Sequence, residues 1–175
     1  MKTASFIIGL SAVALYLLCF QLKSAKKIIA CKLLSSVLYV LQYVLLGAFV
    51  GAAMDASAVV TSTLAYKKDT RIIQKFKIPI LVITNAGIIT IGLLLYENPF
   101  SLLPIAGVLF ESAAMWMKTE KLIRIVSILA VPCWLTYNII AEAYGSAIGS
   151  LLALVSIISA LIRYSSASKK TDTQN

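Results

Sequence analysis

Two acids stand apart in a chain that otherwise keeps charge out of its long apolar runs: Asp55 and Glu111. Counted at about 1.5 Å per helical residue, they fall roughly 4 Å and 3 Å from the midpoints of their hydrophobic stretches. An ionisable group in hydrocarbon costs at least a few kcal/mol, so it usually faces a cavity or a partner. No lysine or arginine is expected at that depth to pair with them, and burial alone then favours the neutral acids. Such carboxylates could bind a cationic or hydroxyl-rich solute, or carry a proton. The plainer reading is an acid hydrogen-bonded inside a helix bundle or, for Asp55, one close enough to the surface to be wet.

Uncharged polar residues add to this pair. Ser35, Tyr39 and Gln42 follow one another at intervals of four and three, and Ser36, Tyr39 and Tyr43 nearly repeat the spacing. This makes one polar stripe on a helix, which must turn away from lipid. Later in the chain come Trp134, Tyr137 and Asn138. Rings flanking amides and hydroxyls suit a sugar or heteroaromatic ring, held by stacking and hydrogen bonds. Tyr39, Gln42 and Trp134 are expected at a cavity. Tyr43, Tyr137 and Asn138 lie towards the outer end and are expected in the interfacial aromatic belt, with a cavity role for Asn138 as the alternative. The expected substrate-binding set is thus Glu111, Asp55, Tyr39, Gln42, Trp134 and Asn138. Thr84 and Asn85 could also line the cavity, although bonding to their own helix backbone explains them as well.

Other chemistries are excluded by residue type. With no histidine and three cysteines in no CxxC spacing, zinc sites and His-based catalysis are out, and no metal or cofactor is expected. Cys19, Cys31 and Cys133 are expected as packing residues. No GxSxG or nucleotide loop occurs, and a paired-aspartate dyad lacks its second aspartate at depth, so an enzyme is not expected.

The elements that must position these residues follow from composition. The chain has 175 residues, 60% hydrophobic and 13% charged, with mean hydropathy +0.92. Soluble domains run at about 45–50% apolar and 25% charged, so the excess has to face lipid. Seven helical spans are expected, at residues 5–22, 28–46, 49–66, 78–96, 100–117, 122–141 and 144–162. The opening run ends in lysines without a cleavage site and stays as the first span. Lys23, Lys26, Lys27 and Lys32 mark the first turn; five cations from Lys67 to Lys77 fill the third connection; Lys118, Lys121 and Arg124 mark the fifth; Arg163, Lys169 and Lys170 follow the last span. The alternate connections carry none. The net charge of +9 therefore reads as positive-inside bias and not as nucleic-acid binding, with the N-terminus outside and the C-terminus cytoplasmic.

Residues 21–43, QLKSAKKIIACKLLSSVLYVLQY, also return ungapped as residues 116–138, WMKTEKLIRIVSILAVPCWLTYN. Lys23 and Lys118, Lys26 and Lys121, and Ile28 and Ile123 each differ by 95, and Tyr39 faces Trp134 at the same offset. A duplicated unit is expected: a first triple-helix repeat at 1–66, a basic linker and inverting helix at 67–99, a second repeat at 100–163 and a disordered cytoplasmic tail at 164–175. Gly47 with Gly51, and Gly145 with Gly149, stand four apart and are expected to let a neighbouring backbone approach each pair.

Gln21 before the basic turn, LLGAFVG at 45–51, LLPIAG at 102–107 and PCWLTYN at 132–138 make the chain resemble the YgjV-type family of bacterial inner-membrane proteins. The resemblance covers most of the chain and implies a bacterial plasma membrane and little chemistry. The expected fold, an all-α bundle of three plus one plus three helices with like-facing repeats, is more distantly similar to SWEET and PQ-loop transporters. Gln21 stands where the glutamine of a PQ pair would, but Phe20 takes the proline position and Trp116 replaces the second glutamine. Where those transporters rock on prolines in both triplets, Pro104 and Pro132 serve the second triplet alone, with Gly9 and Val37 at the matching positions. Two functions are expected to compete: a transporter or facilitator of a small polar solute or a proton, and a non-transporting membrane scaffold. The bilayer is a partner in both, and a homo-oligomer is compatible with either.

Overall fold

The computed structural model describes residues 2–172, with side chains from 4 to 163. Among the described residues there are eight α-helices and no strand: α1 Lys2–Gln21, α2 Ala25–Leu46, α3 Phe49–Tyr66, α4 Arg71–Lys75, α5 Lys77–Leu94, α6 Leu102–Met115, α7 Glu120–Ile140 and α8 Tyr144–Asp172. Six of them, α1, α2, α3, α5, α7 and α8, are long and apolar enough to cross a membrane. The expected tail at 164–175 begins as backbone of α8, which runs to Asp172; residues 173–175 lie outside the described residues.

The expected fifth span comes out short. Asn98 accepts the Phe100 N–H at 3.0 Å while Ser101 Oγ accepts the Asn98 N–H at 3.4 Å. This reciprocal cap, with Pro99 behind it, starts the segment as a 3-10 turn, Pro99–Ser101. At the other end Thr119 accepts the Leu122 N–H at 3.3 Å and opens α7. The 14 residues of α6 left between them span only about 21 Å.

The turns are built by backbone chemistry. Gly47 closes α2 at φ 73°, and the Ala48 N–H reaches back to Tyr43 O at 3.0 Å. Glu142 closes α7 at φ 55°, and the Ala143 N–H reaches back to Asn138 O at 2.8 Å. These are the left-handed closures that glycine makes without strain. Gly47 therefore lies before α3, so it does not share a helix face with Gly51 as its spacing suggests.

Helix α1 packs on α2 and α2 on α3, while α6 packs on α7 and α7 on α8. The groups join where α1 meets α8 and α3 meets α6, and α5 touches α3 and α6. Small residues at the seams let helices approach: Gly149 sits against Val13, and Gly92 of α5 against Ile105. The outward surface is strongly apolar, with Leu94 80% exposed and Ile78 74% exposed. Side chains of this kind are stable against acyl chains and not against water, which makes the chain an integral membrane protein.

Candidate functional site

The site grows from a buried ion pair. Lys32 lies about 10 Å into α2, and its Nζ stands 2.7 Å from Glu111 Oε1 of α6. Tyr16 of α1 donates its hydroxyl to the same oxygen at 3.1 Å. The ammonium also sits 4.7 Å from the Tyr16 ring centre, a cation–π contact. Lys32 is 1% and Glu111 5% exposed. The expectation that no cation reaches Glu111 is therefore overturned. Placed with the loop lysines by sequence order, Lys32 is deep enough in α2 for its flexible stem to carry the ammonium inward to a carboxylate.

Asp55 of α3 is 5% exposed and accepts no hydrogen bond among the described residues. Together with Glu111 it lines a cavity of about 30 Å³ whose wall also includes Tyr39, Tyr43, Trp134 and Asn138. That volume is enough for about two water molecules. Tyr39 stacks on Tyr43 with ring centres 6.3 Å apart, Tyr43 on Trp134 at 6.4 Å, and Trp134 meets Tyr137 edge-on at 6.2 Å. The Trp134 ring lies against the backbone of Gly107, where a Cβ would stand 2.8 Å from its Nε1.

Tyr43, Tyr137 and Asn138 are not in an aromatic belt, since all three are buried. The Tyr43 hydroxyl donates to Asn138 Oδ1 at 2.5 Å, and Asn138 Nδ2 donates to Ser150 Oγ at 3.4 Å. Gly51, in the first turn of α3, donates its backbone N–H to Tyr137 Oη at 3.0 Å. That bond satisfies one of the amides a helix start leaves open, and it draws the phenol inward.

Of the six expected binding residues, five line the cavity and Gln42 does not. Ser146 donates to Gln42 Oε1 at 3.1 Å, and the Gln42 amide covers Gly9, tying α1, α2 and α8 together. Thr84 and Asn85 are also outside the cavity wall, because α5 is peripheral; Thr84 bonds the Ile80 carbonyl at 2.7 Å. Pro104 lies in the first turn of α6, where a missing N–H costs little, whereas Pro132 is inside α7 and leaves the Ile128 carbonyl without its helical donor.

Sequence reasoning missed the cations that close the other helix ends. Arg124 donates from Nε to Phe20 O at 3.1 Å and from Nη2 to Leu22 O at 2.7 Å. Lys68 donates from Nζ to Met115 O at 3.0 Å and to Met117 O at 2.6 Å. Each cation thus satisfies carbonyls left open where a helix ends and complements its dipole. Burial is the main cause holding the Lys68 ammonium below its ordinary value; Asp69 pulls it back up and Lys77 pushes it further down. Gln21 donates to Ser156 Oγ at 2.8 Å and to the Ser156 carbonyl at 3.1 Å, linking α1 to α8. The 95-residue offset pairs the accepting carbonyls, Phe20 with Met115 and Leu22 with Met117, but not the cations, because Lys68 stands opposite Arg163 at that offset and Arg124 opposite Ile29.

A family model, Imp-YgjV, described as bacterial inner membrane protein, matches residues 3–168. No curated protein and no solved structure matches the chain.

Proposed function

The chain belongs to the Imp-YgjV family of bacterial inner membrane proteins, and from that premise we propose that it carries or facilitates the passage of a small polar solute through the cavity between two like-facing helix triplets. The observation that carries this reading is the cavity of Asp55 and Glu111, two nearly buried carboxylates walled by tyrosines and Trp134 inside a membrane protein. Intramembrane acids of this kind mark substrate or ion paths.

The triplets in this reading are α1–α3 and α6–α8, with α5 as the inverting helix between them. Several relationships support it. Tyr16 bonds Glu111 and Tyr43 bonds Asn138, and in each pair the partners are 95 residues apart. In a two-fold arrangement, a residue that touches its own counterpart lies on the axis. The left-handed closures at Gly47 and Glu142 share that offset, and the contact of α1 with α8 has its counterpart in α6 with α3. For α6 to cross with its short length, the bilayer thins locally or the loops flanking it reach in. The distribution of lysine and arginine supports an external N-terminus and a cytoplasmic C-terminus. Within this reading Pro132 is the hinge, and Pro104 fixes the start of α6.

A non-transporting scaffold is the second reading, and the small volume of the cavity favours it. Thiol labelling separates the two. A cysteine at Tyr39 in an otherwise cysteine-free chain reacts with a membrane-impermeant reagent, in intact cells or inverted vesicles, if the cavity opens to water. Full protection from both sides would leave only the scaffold.

A further inference from the structure

We propose that the cavity takes a small, weakly hydrated monovalent cation of the ammonium type, with Asp55 as its counter-ion. This rests on the solute-cavity reading above and names its substrate class. Glu111 has its charge answered by Lys32 at 2.7 Å. Asp55 has no such answer: it is 5% exposed, borders the cavity and accepts no hydrogen bond among the described residues. With Asp55 ionised, two carboxylates against one ammonium leave one negative charge at the cavity, and a single positive charge offsets it.

The wall selects which cation. Tyr16, Tyr39, Tyr43 and Trp134 bring four π-systems to the cavity, each with a negative face that attracts cations. Their hydroxyls supply few oxygens, whereas a magnesium or calcium ion needs six or more oxygen ligands. Ammonium and methylammonium lose less hydration on entering an aromatic wall and can donate hydrogen bonds to Asp55 and to tyrosine oxygens. The volume of about 30 Å³ admits one of these without rearrangement, and bulkier ammonium ions only after the helices part.

The test uses the full chain purified in detergent, with thermal unfolding and tryptophan fluorescence as readouts. Ammonium, methylammonium, tetramethylammonium and sodium chlorides are titrated at matched ionic strength, beside the neutral solutes glucose and urea. Expected is a saturable rise in unfolding temperature with ammonium and methylammonium beyond that in sodium, weakened at least tenfold in Asp55→Asn. Trp134→Leu weakens it several-fold, and decides the matter if Asp55→Asn does not fold. Equal ammonium binding in the native chain and in both variants overturns the proposal. A saturable response to glucose that survives Asp55→Asn overturns the cation class and leaves a solute cavity standing. No response to any compound, with the Tyr39 cysteine protected from both sides, removes the cavity reading as well.

Discussion

Lys32 Nζ lies 2.7 Å from Glu111 Oε1, and neither residue reaches the surface of the bundle. The pair joins α2 to α6, helices that are 56 or more residues apart in the chain, through a contact whose cost depends on both partners being present. Removing one leaves the other buried and unanswered, which is worth about 3–5 kcal/mol. Lys32→Met is therefore expected to lower the unfolding midpoint sharply. Lys32→Met combined with Glu111→Gln is expected to recover most of the loss, as measured by a double-mutant cycle in detergent.

Gly107→Ala puts a Cβ 2.8 Å from Trp134 Nε1, and the ring has to move. Overpacking of this kind costs about 1–3 kcal/mol. Because Trp134 also stacks on Tyr43, the displacement is expected to change the tryptophan emission together with stability. An unchanged spectrum would mean that the ring has room the packing does not indicate.

Glu142 holds φ 55° without being glycine. A left-handed residue with a Cβ costs about 1–2 kcal/mol, so Glu142→Gly is expected to raise stability by up to that amount. Gly47→Ala, at φ 73°, is expected to lower it by a similar amount. The two unfolding curves should move in opposite directions.

Lys68 titrates below its ordinary 10.5, chiefly because it is partly buried. A lysine whose folded value is depressed contributes stability above the unfolded value and loses it as pH falls through the folded one. Unfolding free energy is thus expected to rise with pH in the window just under 10.5, and to rise less in Lys68→Met. Equal slopes in the two proteins would mean that the ammonium is as well solvated folded as unfolded.

Much of this arrangement is legible in the residue order because a bilayer makes hydropathy nearly decisive. The runs holding α1, α2, α3, α5, α7 and α8 can be read directly, and Asp55 and Glu111 stand out by being polar where lipid tolerates little. What could not be read are the places where a side chain reaches along or across helices. Lys32 looks like a loop lysine until its stem is seen folded inward, and Tyr137 looks like an interfacial ring until Gly51 is seen holding it. Gln42 shares a stripe with Tyr39, yet the small residue facing it, Gly9, draws its amide into a seam between helices. Periodicity gives the side of a helix but not the neighbour across it. The length of α6 was hidden for a related reason: its limits are set by the Asn98 and Thr119 caps and not by where the apolar run stops.

Helix α5 buries only Ile88 and Gly92. It lies along the edge of the bundle and not within it. Covalent continuity runs past the bundle on its periphery, where α5 touches both α3 and α6, so a sliding movement of α1–α3 against α6–α8 would let this helix follow one group and give up its contacts with the other. Evolution could therefore exchange its lipid-facing aliphatic residues freely, while the same substitutions along α7 would meet a neighbour at nearly every turn.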